Sequence, residues 1–161
     1  MTMKNLSELI NEFKNKVINQ EIINLSISQG SVGWHIEHSL LTINKIVEAL
    51  KKSNPENYKR AFNFARLLVF TINKIPRGRA QSPASVTPAD FNESTLQHHI
   101  LLTNKNLKEL ESLQADNYFE HPFFGKLNLS AAKKFIAIHI NHHCKIINDI
   151  IKANQNKKLN K

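Results

Sequence analysis

Residues 129–153 read LSAAKKFIAIHINHHCKIINDIIKA, and this stretch decides the fold. It contains neither glycine nor proline, and at about 100° per residue many of its apolar side chains fall in one narrow sector of a helix. That sector holds Leu129, Ala132, Phe135, Ile136, Ile146 and Ile150. His139 and His143 lie in the same sector. We therefore predict a long final helix that turns both imidazoles towards the core.

The remainder of the chain is also poor in helix breakers. Its 161 residues include four glycines and five prolines, which cluster and leave long uninterrupted stretches. Such stretches favour helices over a many-turned β fold. A capping-box pattern at Asp90 and Glu93 marks one helix start, and Asn54 followed by Pro55 marks another. We predict four further helices, over about residues 5–23, 34–52, 55–75 and 90–113, with irregular segments at 76–88 and 114–127.

These elements predict an all-α fold. Five helices and two sizeable loops suit a four-helix core, with one accessory helix in the long connection between the second and third core helices. A chain of 161 residues is long enough for one domain and too short for two comfortably. We assign that single domain to residues 1–161, with a flexible basic tail at 154–161.

Composition limits the classes of partner. Hydrophobic residues make up 41% and charged residues 22%, as in ordinary soluble globular proteins. The net charge of +9 comes from scattered lysines and arginines, without an Arg-rich helix or a recognised nucleic-acid module, so we predict no nucleic-acid partner. No apolar stretch approaches membrane-spanning length, and the first residues lack the apolar region of a signal peptide. The single cysteine, Cys144, excludes an internal disulfide. We predict a cytoplasmic protein with no membrane partner.

Eight histidines are the most informative feature of the sequence. At positions i and i+4 of a helix, the Cβ atoms of His139 and His143 lie about 5–6 Å apart, so two ring nitrogens can reach one ion. Burying neighbouring imidazoles without partners is costly, and a shared metal removes that cost. The alternative is a pair of core histidines that hydrogen-bond to neighbouring groups. The spacing alone leaves both interpretations open.

The second helix brings further histidines at its start, where residues 34–38 read Trp-His-Ile-Glu-His. On a helical wheel, His38 lies almost opposite the main apolar stripe, beside Trp34, and His35 lies closer to the stripe. A helix wedged between the core and an accessory helix can be buried on two faces, so His38 need not be exposed. Periodicity therefore does not choose between His35 and His38.

The histidines belong to three motifs: Trp-x-x-x-His at 34–38, His-Pro-x-Phe-Gly at 121–125 and His-x-x-His-His at 139–143. In combination they resemble the DinB-like (YfiT-like) metalloenzyme superfamily, and most closely a branch of short bacterial members. The resemblance extends over about residues 33–150. It implies a four-helix bundle in which one histidine of the second core helix and two of the last form an open metal triad.

The resemblance assigns three ligands by position: His38, His139 and His143. It favours His38 over His35 because the apolar residue two positions before the family's ligand corresponds to Ile36. Many members have a glutamine shortly after the last histidine, whereas residues 144–147 here read Cys-Lys-Ile-Ile, so any role of that glutamine is in doubt. Three nitrogen donors suit one divalent transition metal: zinc, nickel or iron.

Three imidazole ligands leave at least one coordination position for water, as catalytic sites do. We therefore expect a metal-dependent enzyme, either a hydrolase or, as the resemblance implies, a thiol-dependent transferase, whose partner is a small-molecule substrate or a thiol. Two alternatives remain: a non-catalytic metal- or ligand-binding bundle, and a basic interaction protein with structural histidines. A second copy of the chain, in a homodimer, is a further possible partner. Further residues expected to line a pocket or support the ligands are Trp34, His35, His121, Phe123 and His142.

Overall fold

Five helices and one β-hairpin make up the computed structural model, which describes residues 5–78 and 82–159. The helices are α1 (Leu6–Lys16), α2 (Val32–Lys52), α3 (Phe64–Ile72), α4 (Glu93–Glu109) and α5 (Leu129–Leu159). The hairpin pairs β1 (Tyr118–His121) with β2 (Gly125–Asn128) in antiparallel register. The prediction of a mainly helical bundle is confirmed, and the small sheet is an addition to it.

The second helix lies at the centre of the bundle. It packs against both α4 and α5, and α1 packs against the same two helices. From Val32 to Leu40, every residue except Trp34 is buried. This double-sided burial explains why the apolar stripe of α2 could not show which histidine faces inward. The shared core includes Phe13, Ile36, Leu40, Leu96, Ile136 and Leu110.

The third helix is much shorter than predicted. Instead of a helix over 55–75, Pro55–Asn57 forms a single 3-10 turn, and α3 begins only at Phe64. The Asn63 side chain accepts a hydrogen bond from the backbone N–H of Arg66 and so caps a new helix start. At the other end Asn73 adopts a left-handed conformation, with φ 51°, which stops the helix.

Other boundaries also differ from the predicted ones. The α4 cap is Asn92, which forms a capping box with Thr95, so the expected pair Asp90 and Glu93 was the wrong one. The first helix ends at Lys16 and is followed by a 3-10 turn to Asn19 rather than continuing to residue 23. The last helix begins at Leu129 as predicted and continues to Leu159, through most of the segment that we assigned to a flexible tail.

The segment predicted as irregular, residues 114–127, contains most of the hairpin. Its strands have four residues each, and such short strands leave little periodicity to detect. The turn ends at Gly125, whose φ of 67° is a conformation that favours glycine. The hairpin places His121 at the end of β1, where its ring contacts Phe135 of α5.

Several apolar side chains of α3 are exposed, including Phe64, Leu67 and Ile72. α3 follows α2 and precedes α4 in the chain, and it contacts α5, as expected for an accessory helix. Among the described residues, no helix combines the length and the apolarity needed to cross a bilayer.

The first turn of α2 fits tightly against its neighbours. A Cβ atom added at Gly33 would overlap the Phe91 ring and would lie 3.1 Å from the backbone oxygen of Gln20. We expect Gly33→Ala to lower the free energy of unfolding by about 1–3 kcal/mol through overpacking, although alanine has the higher helix propensity. Urea unfolding followed by circular dichroism measures the change.

The control for this prediction is Lys52→Ala, at the exposed end of the same helix, which should change stability by no more than about 0.5 kcal/mol. A Gly33→Ala protein as stable as the wild type would show that Phe91 moves aside without penalty.

Candidate metal centre

Three buried histidines from two helices meet inside the bundle. His38 comes from the second turn of α2, and His139 and His143 come from successive turns of α5. Each offers one ring nitrogen, and these three atoms all lie within 4.8 Å of one another. The ring centroids of His139 and His143 are 4.6 Å apart, and that of His38 lies 5.2 and 4.9 Å from them. Such a group could hold one metal ion.

Hydrogen bonds fix the protonation of the His38 ring. Its Nδ1 lies 2.8 Å from the backbone oxygen of Val86, and because a carbonyl only accepts, Nδ1 must carry the proton. A neutral His38 then presents the lone pair of Nε2. Trp34 stacks on the same ring, with centroids 5.1 Å apart and an interplanar angle of 11°. His38 is thus held from two sides in the tautomer that metal ligation through Nε2 requires.

The two histidines of α5 differ in their partners. His143 Nδ1 lies 2.9 Å from His35 Nδ1, which leaves Nε2 of His143 for an ion. His139 Nδ1 is buried and has no hydrogen-bond partner among residues 5–78 and 82–159. A buried ring nitrogen without a partner is costly, and metal ligation is one way to satisfy it.

His35 lies behind the triad rather than within it. Its Nε2 is 2.8 Å from the Ser28 hydroxyl oxygen, and its Nδ1 contacts His143, so both ring nitrogens are engaged. If His143 binds through Nε2, its Nδ1–H donates to His35, and His35 in turn donates from Nε2 to Ser28. A metal-ligating histidine usually donates its second ring N–H to a carboxylate, a carbonyl or water, and here the imidazole of His35 takes that place. The geometry therefore places His38, and not His35, in the group that could hold an ion, and places His35 against His143.

Burial keeps these imidazoles neutral. It is the largest cause of the shift in each ring: the pKa of His139 and of His143 is well below 6.5, and that of His38 is also lowered. Neighbouring histidines depress the pKa of His139 and His143 further. Burial also lowers the pKa of His35 to about 4. Neutral imidazoles are the form that binds metals.

No protein-family model matches this chain, and neither a curated protein nor a solved structure does. A set of three neutral nitrogen donors suits zinc, nickel or iron(II), and the unsatisfied His139 Nδ1 is consistent with ligation. The donor set and its burial fit a divalent transition metal.

A cleft of about 380 Å³ opens beside the triad. Its walls come from α2, α5, the hairpin and the segment between α3 and α4, and they are mainly apolar. Three phenylalanines, Phe119, Phe124 and Phe135, are buried against it, whereas Phe123 is 59% exposed at the hairpin turn. The cleft gives a small molecule a route to the histidines.

The residues expected to line a pocket or support the ligands fall into two groups. His121, Phe123 and His142 line it together with the triad. Trp34 and His35 do not line it, since they contact the His38 and His143 rings from behind.

Sequence reasoning missed the Val86 carbonyl and the Ser28 hydroxyl, which fix the orientations of His38 and His35. Both belong to connecting segments, whose position no periodic pattern reports.

Proposed function

We propose that this protein binds one divalent transition metal through His38, His139 and His143 and acts as a metal-dependent enzyme on a small molecule. One observation carries the proposal: three buried imidazoles, with nitrogens within 4.8 Å of one another, border an apolar cleft. A purely structural zinc site has four protein ligands, whereas a catalytic one has three and keeps a position open. The three-histidine set beside a cleft follows the catalytic pattern.

The residues support this chemistry in separate ways. All three ligands are neutral, so they would leave the positive charge of a bound ion uncompensated. Such an ion would supply Lewis acidity for hydrolysis or a binding position for a thiolate. Val86 and His35 orient the ligand rings, and the phenylalanine walls exclude water from the bound molecule. The two reaction types are a hydrolase and a thiol-dependent transferase, and the metal is zinc, nickel or iron.

The motifs described above support the assignment of the bundle to the DinB-like superfamily, which remains part of this proposal. A non-catalytic metal- or ligand-binding bundle is the second candidate, favoured by the mainly apolar lining of the cleft. Turnover of model esters or of thiol-dependent substrates by the metal-loaded protein separates the two. The homodimer and the cytoplasmic location stay predictions.

Metal content tests the proposal directly. Protein purified without chelator, or reconstituted with zinc, should contain about one ion per chain by elemental analysis, as a single three-histidine site implies. Wild-type protein that neither carries nor takes up zinc, nickel or iron would contradict the proposal.

Paired substitutions on α2 test which histidine is the ligand. We expect His38→Ala to weaken zinc binding by more than about a hundredfold, because it removes a ligand. His35→Ala should weaken it by about 10–100-fold, because it removes only the partner of His143. Competition with a chromogenic chelator measures both affinities.

The control is His98→Ala, which changes an exposed histidine of α4 outside the cleft and should bind zinc as the wild type does. A larger loss from His35→Ala than from His38→Ala would reverse the assignment.

A further inference from the structure

The ring of His121 is fixed by the turn that follows it. Its Nδ1 accepts hydrogen bonds from the backbone N–H groups of Phe123 and Phe124, at 3.1 and 3.3 Å. The ring stacks on Phe124, with centroids 4.3 Å apart and an interplanar angle of 17°. It also meets the edge of Phe135 at 4.6 Å. Two hydrogen bonds and two ring contacts therefore set the orientation of this imidazole.

These contacts also determine where its proton lies. Because backbone N–H groups only donate, Nδ1 must carry a lone pair, so the His121 proton is on Nε2. The Nε2–H group has no hydrogen-bond partner among residues 5–78 and 82–159. Burial lowers the pKa of His121 to about 4, so the ring is a neutral donor at neutral pH.

The donor belongs to the same cleft as the triad. His121 and His139 both line the cleft, and Phe135 contacts the two rings, at 4.6 and 5.7 Å between centroids. Phe119 and Phe124 continue this wall as flat, apolar surface. A molecule that reaches the triad along the wall therefore passes His121.

We infer that His121 donates a hydrogen bond from Nε2 to a carbonyl oxygen of the substrate, and that the substrate class is an apolar carbonyl compound: an ester, an amide or a ketone with a flat apolar group. A neutral donor suits a carbonyl oxygen, whereas carboxylates and phosphates are typically bound by cations. The phenylalanine wall suits the flat group. This inference rests on the proposed metal site, since the metal holds the other end of the molecule.

Two probes of equal length test it on cobalt(II)-loaded protein. 3-Benzoylpropionate and 4-phenylbutyrate share a carboxylate and a phenyl ring, and they differ only in a ketone where the second has a methylene. The carboxylate can bind the cobalt ion, whose visible spectrum reports binding. We expect the wild type to bind the ketone about fivefold more tightly, the value of one net hydrogen bond.

His121→Asn should abolish this preference. Its side-chain oxygen can still accept from the two backbone N–H groups as an Asx-turn, but it has no donor in the place of Nε2. His121→Phe, which keeps the stacked ring and lacks both nitrogens, is a second variant with the same expected result. His98→Asn is the matched control, exposed and outside the cleft, and should keep the preference.

The outcomes separate the two proposals. If the wild type binds cobalt but shows no preference for the ketone, or if His121→Asn and His121→Phe bind cobalt and keep the preference, the role of His121 is overturned and the metal site stands. If the wild type fails to bind cobalt, the metal site is overturned, and the inference with it.

Discussion

His139→Leu is expected to abolish zinc binding and, at the same time, to stabilise the metal-free protein. The His139 Nδ1 atom is buried without a hydrogen-bond partner among the described residues, and an unsatisfied buried polar group costs about 1–3 kcal/mol. Leucine has a similar volume and no polar atom, so it removes that cost with little repacking. We expect the free energy of unfolding without metal to rise by about 1–2 kcal/mol.

The same substitution removes a ligand, so zinc affinity should fall by more than about a hundredfold. A ligand present at a hundred times its dissociation constant stabilises the native state by about 2.7 kcal/mol, and this gain should disappear in His139→Leu. Urea unfolding with EDTA and with zinc measures both effects. Opposite changes in metal affinity and metal-free stability are the signature of a residue kept for binding.

His35→Leu is the matched control, because it changes a neighbouring buried histidine whose nitrogens are both engaged. It leaves His143 Nδ1 without its partner and the Ser28 hydroxyl with only the backbone N–H of Gly30, and it should lower the stability of the metal-free protein by about 1–3 kcal/mol. A comparable loss of metal-free stability in His139→Leu would identify His139 as a structural core histidine instead.

The contrast between His139 and His38 shows which side-chain orientations could be predicted from the sequence. The inward orientation of His139 and His143 follows from one uninterrupted apolar sector, and the structure buries both, at 9% and 7% exposure. His38 is just as buried, at 5%, yet its wheel position pointed away from the main stripe. α2 packs on two sides, so burial there is set by tertiary contacts that no single periodicity encodes.

The features that could not be predicted depend on competing helix-capping residues and on the connecting segments. Residues 55–75 look helical in composition, but capping by Asn63 and the left-handed turn at Asn73 confine the helix to Phe64–Ile72. The hairpin is too short to leave a pattern, although it fixes the donor His121. The orientation of His38 depends on a single carbonyl, that of Val86.

Acidification towards pH 4 is expected to destabilise the metal-free protein strongly. Burial holds the pKa of His35 at about 4 in the native state, against 6.5 for an unperturbed histidine. Between these two pH values the unfolded chain binds a proton that the native state does not, so the free energy of unfolding falls as the pH falls. Well above pH 6.5 the His35 ring is neutral in both the native and the unfolded state, so it does not change the free energy of unfolding.

The size of this effect follows from the number of buried rings. His35 alone contributes a loss of about 3 kcal/mol across its interval. The pKa values of His38, His139 and His143 are shifted in the same direction by burial. Domains of this kind have a total stability of about 5–15 kcal/mol, so the loss at His35 alone is a substantial part of it, and the other buried rings add to it in the same direction.

Urea titrations of EDTA-treated protein between pH 7.5 and pH 4.5 would measure this loss. Stability that stays constant over that range would contradict the burial of neutral imidazoles. His139→Leu should have a shallower dependence on pH, since one titrating ring is missing. With zinc, protons compete with the ion for the native nitrogens only as the pH approaches their native pKa values, which burial holds well below 6.5 for His139 and His143, so the stabilisation by zinc should persist as the metal-free stability begins to fall. Loss of metal-free stability should therefore begin at a higher pH than loss of zinc, because the first starts at the pKa of the unfolded chain and the second at the lower pKa of the buried rings.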